Sequence, residues 1–252
     1  MNCIAEISNL QIKGILDDFS LQIKENEFVV LIGQNGAGKT TLLKTLLGLI
    51  KPNYGHVAVF GQSTGNSRFR KNLCRIGYVP QILNLDYRTP FTVFDVVSMG
   101  RFARTGILKK LTDYDHELIM NAIARLDLLP LLKRPVGVLS GGERQKVQIA
   151  RVLCQQPEFL LLDEPASHLD LYAQYELIDI LQLIFSEQKI TTLLVMHDLH
   201  YLPEKCSRAV VIHQKKKKFD GTIGELFAGD VLYQLYDNYT KKILAACRNF
   251  SS

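Results

Sequence analysis

Gly33-Gln34-Asn35-Gly36-Ala37-Gly38-Lys39-Thr40 places two glycines, a lysine and a hydroxyl at the spacing G-x-x-x-x-G-K-[ST]. Glycines let backbone N–H groups wrap phosphates. Lys39 supplies a point charge to a β- or γ-phosphate, and Thr40, with Thr41 beside it, a hydroxyl for Mg2+. A second constellation is Phe159-Leu160-Leu161-Leu162-Asp163-Glu164-Pro165, a buried-strand pattern ending in two carboxylates. Asp163 can hold Mg2+, directly or through water, and Glu164 can orient and deprotonate a water for attack on a γ-phosphate. The third is Leu139-Ser140-Gly141-Gly142-Glu143. Ser140 and Glu143 form a capping box ahead of a helix through Val147, Ala150 and Leu153. Gly141 and Gly142 leave its first-turn N–H groups bare, which makes a second anion site. Two phosphate-binding devices in one small chain suggest one nucleotide held between two copies of it.

These residues need strands and helices to position them. Residues 1–32 alternate like strands through Ile7, then Phe19, Leu21 and Ile23, and end in the continuous run Phe28-Val29-Val30-Leu31-Ile32. Glu25-Asn26-Glu27 reads as a turn in which Asn26 best tolerates a positive φ. A helix through Leu42, Leu43, Leu46 and Leu47 follows the glycine loop and breaks at Lys51-Pro52-Asn53-Tyr54-Gly55. Arg75-Ile76-Gly77-Tyr78-Val79-Pro80-Gln81 reads as a strand ending in a loop. From Phe91 to Gln156 the pattern is helical, with a further capping box from Thr112 to Asp115. After Pro157 strands return at residues 159–162, 191–196 and 209–213. They alternate with helices expected near residues 172–185 and 198–206. Such alternation predicts an α/β core with a mainly parallel sheet, preceded by an antiparallel β part and interrupted by an α-helical insert. The expected boundaries are one domain over 1–228, with core parts 1–88 and 157–228 and an insert over 89–156, then a tail over 229–252.

Composition is that of a globular chain: 252 residues, 47% hydrophobic and 22% charged. The net charge of +5 suits acidic phosphates or an anionic membrane face and does not demand nucleic acid. Cys3, Cys74, Cys154, Cys206 and Cys247 are scattered singly, the usage of a reducing compartment. The apolar runs are too short to span a bilayer, and residues 1–12 carry no signal-peptide pattern. His197, Asp198 and His200 lack a further ligand at metal-binding spacing.

In order along the chain stand the glycine loop at 33–40, Gln81, residues 139–143, Asp163-Glu164, Ser167-His168-Leu169-Asp170 and His197. This series resembles the ATP-binding cassette (ABC) transporter ATPases over nearly the whole chain, to about Phe227. The resemblance implies a P-loop NTPase (RecA-like) core and a head-to-tail dimer with two ATP molecules between subunits. Each ATP would meet residues 33–41 of one copy and Ser140, Gly141, Gly142 and Glu143 of the other. It implies that Gln81 senses Mg2+ and the attacking water at the hinge to the insert. His197 would be the γ-phosphate switch and Asp170 the dimer-crossing aspartate.

The stretch Ile76-Gly77-Tyr78-Val79-Pro80-Gln81, with Asp86, Pro90, Val93 and Met99-Gly100-Arg101, is similar to ATPases of zinc and manganese importers. Ser167-His168-Leu169-Asp170 is more similar to those of iron-siderophore and vitamin B12 importers. Both imply an ATP-hydrolysing motor of a binding-protein-dependent importer, peripheral on the inner, cytoplasmic face of the cell membrane. Its insert around residues 91–104 would meet an integral membrane permease and, through it, a substrate-binding protein. Other readings are a non-transport ABC ATPase such as an iron–sulfur assembly scaffold, and a generic P-loop kinase or GTPase. The last leaves residues 140–143 without a role, and the guanine-specificity sequence N-K-x-D is absent. Two departures stand out. Phe19, the aromatic residue upstream of the glycine loop, alternates like core rather than as an adenine stacker, and Lys215-Lys216-Lys217-Lys218 reads as a solvated charged hairpin.

Overall fold

The computed structural model describes residues 2–81, 90–106, 109–197, 199–229 and 231–232. Asp86, Asp198 and most of the tail lie outside these residues. The chain opens with the antiparallel pair β1 (Cys3–Ile12) and β2 (Leu16–Lys24), whose alternation buries Ile7, Leu10, Phe19, Leu21 and Ile23. Asn26 turns the chain with φ 60°. β3 (Phe28–Gly33) is buried at every position, as a central strand covered on both faces must be. The glycine loop leads into α1 (Lys39–Leu46), after which β4 (Tyr54–Val59) and the short β5 (Gln62–Ser63) complete an antiparallel sheet in the order β2-β1-β4-β5. A 3-10 stretch, Ser67–Arg75, precedes β6 (Ile76–Val79).

The helical part comprises α2 (Val93–Ser98), α3 (Phe102–Thr105), α4 (Asp113–Arg125) and α5 (Gly141–Cys154). Thr112 and Ser140 cap α4 and α5 through reciprocal bonds with Asp115 and Glu143, as their spacing predicts, and Thr92 caps α2 in the same way. Strands then resume with β7 (Phe159–Asp163), the long α6 (Leu171–Gln188), β8 (Thr191–Met196), β9 (Arg208–His213), β10 (Lys216–Gly221) and α7 (Ile223–Ala228). The larger sheet has the order β10-β9-β3-β8-β7-β6. The strands from β9 to β6 are parallel, and β10 joins as an antiparallel edge. Phe28, Val30 and Ile32 face the helical part and α6, while Val29 and Leu31 face α1 and the antiparallel sheet.

No helix forms over residues 199–207, where one was expected; the chain makes turns there. Pro203 removes a backbone donor from the middle of the stretch and blocks the helical ladder. β4 begins where the sequence shows only a break. Gly55, with φ 88°, lets β4 approach the carbonyls of Ser8 and Asn9 at a distance a side chain would forbid. The lysines at 215–218 do form a hairpin: Gln214 and Lys215 take positive φ at its turn and β10 follows.

Three polar clasps hold these parts together. Arg208 joins the two sheets, donating to Asp220 Oδ1 at 2.6 Å, Gln22 O at 2.9 Å and Glu27 Oε1 at 3.1 Å. Arg101 and Asp115 pair at 2.8 Å inside the helical part. At the end of α5 the Gln155 side-chain amide points at the carbonyls of Leu73, Cys74 and Ile76, at 3.2, 2.9 and 2.9 Å. Among the described residues, no helix is long and apolar enough to cross a membrane.

Candidate nucleotide site

Gly33 ends β3 under the backbone of β9. A Cβ there would stand 2.6 Å from Ile212 O, so only glycine lets the two strands lie this close at the head of the loop. Gly38 precedes α1 with φ 100°, which turns the loop into the helix. The Lys39 side chain is 4% exposed and folds back over the loop. Its Nζ donates to Gly33 O at 2.7 Å and Gln34 O at 3.2 Å, and pairs with Glu164 Oε1 at 3.1 Å. Thr40 Oγ1 donates to Asp163 Oδ1 at 3.0 Å.

β7 delivers the two acids. Asp163 is 1% exposed, and burial, with the neighbouring Glu164 charge, pushes its carboxyl up; the bonds from Thr40 and Tyr78 act against that. Glu164 follows in the left-handed region, φ 47°, which turns its carboxylate back over the loop. Its Oε2 accepts from Gln81 Nε2 at 2.9 Å and lies 3.1 Å from His197 Nδ1. Four elements thus meet at one carboxylate: the glycine loop through Lys39, the end of β6 through Gln81, the end of β7, and the end of β8 through His197. The sequence supplied these residues only as an order along the chain.

Residues 140–143 stand apart from this cluster and bond within their own turn. Glu143 Oε2 accepts from Ser140 N at 2.7 Å, and Ser140 Oγ accepts from Glu143 N at 3.2 Å. The backbone bond from Ser140 holds the Glu143 carboxyl below its ordinary range. A Cβ on Gly141 or Gly142 would meet only Leu169 at 3.8 Å or Ala173 at 3.5 Å, ordinary contact distances, and neither glycine has a positive φ. The fold of the single chain therefore requires neither glycine. Asp170 caps α6, its Oδ1 accepting from Ala173 N at 3.0 Å. Phe19 is fully buried, as its alternation predicts.

Sequence reasoning missed one contact. Tyr78 OH donates to Asp163 Oδ2 at 3.3 Å, and burial with the Asp163 charge pushes the phenol up to about 12. Nothing in the spacing of Tyr78 announces a bond across two parallel strands.

The glycine loop, the paired acids and the detached helix start can be set against known proteins. The family model for ABC transporter matches residues 16–167. The manganese transport system ATP-binding protein MntB of Bacillus subtilis is 36% identical, over 83% of this chain and 82% of its own length. The zinc uptake system ATP-binding protein ZurA of Listeria innocua is 35% identical, over 89% of this chain and 88% of its own. Among solved structures, cbiO1 of Clostridium perfringens, part of the ABC transporter complex cbiONQ, is similar with a TM-score of 0.80. It is 26% identical, over 98% of this chain and 100% of that one. With the family model covering more than half of its length and such relatives spanning most of it, the chain belongs to the ABC transporter family.

Proposed function

We propose that the chain is the ATP-hydrolysing subunit of an importer for a divalent metal ion, manganese or zinc. The observation that carries the catalytic part is the convergence of Lys39, Gln81 and His197 on the Glu164 carboxylate. Glu164 is the general base for the attacking water, with Gln81 and His197 fixing the oxygen Oε2 that receives the proton. Lys39 exchanges its carbonyl partners for phosphate oxygens when ATP enters, and the N–H groups of residues 33–41 wrap the phosphates. Thr40 and Asp163 offer adjacent hard oxygens that fit Mg2+, and Gln81 would be a further ligand. Bound there, Mg2+ would neutralise charge on the β- and γ-phosphates.

The spare glycines of residues 139–143 support the dimer. Since the chain's own packing tolerates a side chain at Gly141 and Gly142, their bareness serves something brought from outside, namely the γ-phosphate held by a second copy. Ser140 fits that role too: its oxygen accepts from Glu143 N, and its hydroxyl can turn from the Glu143 carboxylate to an incoming phosphate. Asp170 lies where the two copies cross.

The insert is the lever toward the membrane. A groove of about 480 Å3 between it and the core, lined by Arg70, Leu73, Met99, Ala103 and Arg151, is the seat for an integral permease, which links the subunit to a substrate-binding protein. The subunit then works at the inner face of the cell membrane and has no role with nucleic acid. The manganese and zinc transport relatives favour those ions. An iron chelate is the second reading, favoured by Ser167-His168-Leu169-Asp170.

The test is affinity capture of the Glu164→Gln protein from solubilised membranes, followed by uptake of radioactive manganese, zinc and chelated iron in cells lacking the gene. Recovery of a permease, with loss of manganese or zinc uptake, is expected. No permease together with normal uptake of all three overturns the proposal.

A further inference from the structure

Asp163 has two carboxylate oxygens, and a hydroxyl holds each of them. Oδ1 accepts from Thr40 at 3.0 Å, and Oδ2 accepts from Tyr78 at 3.3 Å. The carboxylate is 1% exposed, so bulk water does not replace either bond if it is lost. Tyr78 lies on β6 opposite Leu161 of the parallel neighbour β7, two residues before Asp163. Its half-buried ring therefore leans along the strand, with the hydroxyl at the strand ends. The other face of this residue looks into the groove between core and insert, which it helps to line.

A carboxylate turns readily about its last bond, because the terminal torsion of aspartate is broad. One hydrogen bond leaves that rotation partly open, whereas two bonds to opposite oxygens, from donors on different elements, close it. We propose that Tyr78 is the positioning residue of the Asp163 carboxylate: its hydroxyl fixes the rotation that presents Asp163 beside the Thr40 hydroxyl to a divalent cation. This rests on the reading of Thr40 and Asp163 as the metal-holding pair. The Tyr78 hydroxyl is bonded to Asp163, so it acts on the metal through that carboxylate and not on the phosphates themselves.

The test is Tyr78→Phe, which keeps the ring and removes only the hydroxyl. Affinity for a non-hydrolysable ATP analogue is measured in EDTA and then along a Mg2+ titration. The affinity in EDTA stays at the wild-type value, and the Mg2+ midpoint rises about tenfold, the usual loss when a residue supporting a metal ligand is removed. A second readout is intrinsic: the chain has 10 tyrosines and no tryptophan, so its emission reports tyrosine alone. Mg2+ added to the nucleotide-bound protein changes that emission in the wild type, and the Tyr78 share of the change is missing in the variant. An unchanged Mg2+ midpoint overturns the proposal, and so does an equal loss of affinity in EDTA, which would mark Tyr78 as merely structural. Asp163→Asn separates the two ideas. If its Mg2+ midpoint is also unchanged, the metal-holding role of Asp163 fails; if it shifts while Tyr78→Phe does not, only the positioning role fails.

Discussion

Lys39 and Glu164 form an ion pair of 3.1 Å between side chains 4% and 7% exposed, so each holds the other's charge before any phosphate arrives. Removing the Glu164 charge should separate binding from turnover. Glu164→Gln frees Lys39 for phosphate and deletes the proposed proton acceptor. Phosphate release should fall by about two to three orders of magnitude, in the range for loss of a general base. ATP should stay bound, and size-exclusion chromatography with ATP should show an accumulated dimer. Turnover within twofold of the wild type would remove Glu164 from the role of base.

Gly142→Ala tests whether the bare helix start serves a second copy. The added methyl meets only Ala173 at 3.5 Å, and alanine favours a helix over glycine by about 1 kcal/mol. The melting temperature should hold or rise, while ATP-driven dimerisation and phosphate release fall about tenfold or more. Full activity would show that nothing approaches this glycine.

At Gly33 the opposite balance holds. A methyl there stands 2.6 Å from Ile212 O, backbone that cannot step aside without shifting β9. Gly33→Ala should cost about 1–3 kcal/mol in urea unfolding, the usual penalty of overpacking, and should weaken nucleotide binding along with it. A variant as stable as the wild type would contradict the close strand approach.

Acid should loosen the helical part through Asp115. The backbone N–H and hydroxyl of Thr112, with the Arg101 guanidinium, hold its carboxyl at about 2. The unfolded chain returns that group to about 3.9. A folded value below the unfolded one means stability that is complete above about pH 4 and lost as the pH falls toward 2. Urea midpoints measured from pH 7 to pH 3 should fall more steeply in the wild type than in Asp115→Asn. The variant should also be weaker at pH 7, because Arg101 is 5% exposed and would lose its counter-charge.

Which features were legible in the sequence depended on how far apart the partners lie in the chain. The glycine loop and the capping boxes at Thr112 and Ser140 are contiguous, so spacing and geometry are the same information there. β3 and β7 declared themselves by unbroken apolar runs. β4 did not, because Gly55 and His56 follow its first residue and its order comes from pairing with β1. Turns stand at 199–207 where the alternation of strands and helices predicts a helix, because Pro203 interrupts the ladder. The bond from Tyr78 to Asp163 joins residues 85 positions apart. It depends on the register of two parallel strands, which no local pattern encodes.

The amide of Gln155 has a mechanical consequence. One side chain at the end of α5 reaches the carbonyls of Leu73, Cys74 and Ile76 together, and Arg104 returns from α3 to the carbonyls of Gln155 and Gln156. A joint fastened at so many points resists sliding. Ser140 stands at the far end of the same helix, which Lys146 ties to α6 through Glu176 at 2.6 Å. A shift of α5 against the core is therefore carried along the 14 residues of one helix, from Gln155 to Ser140.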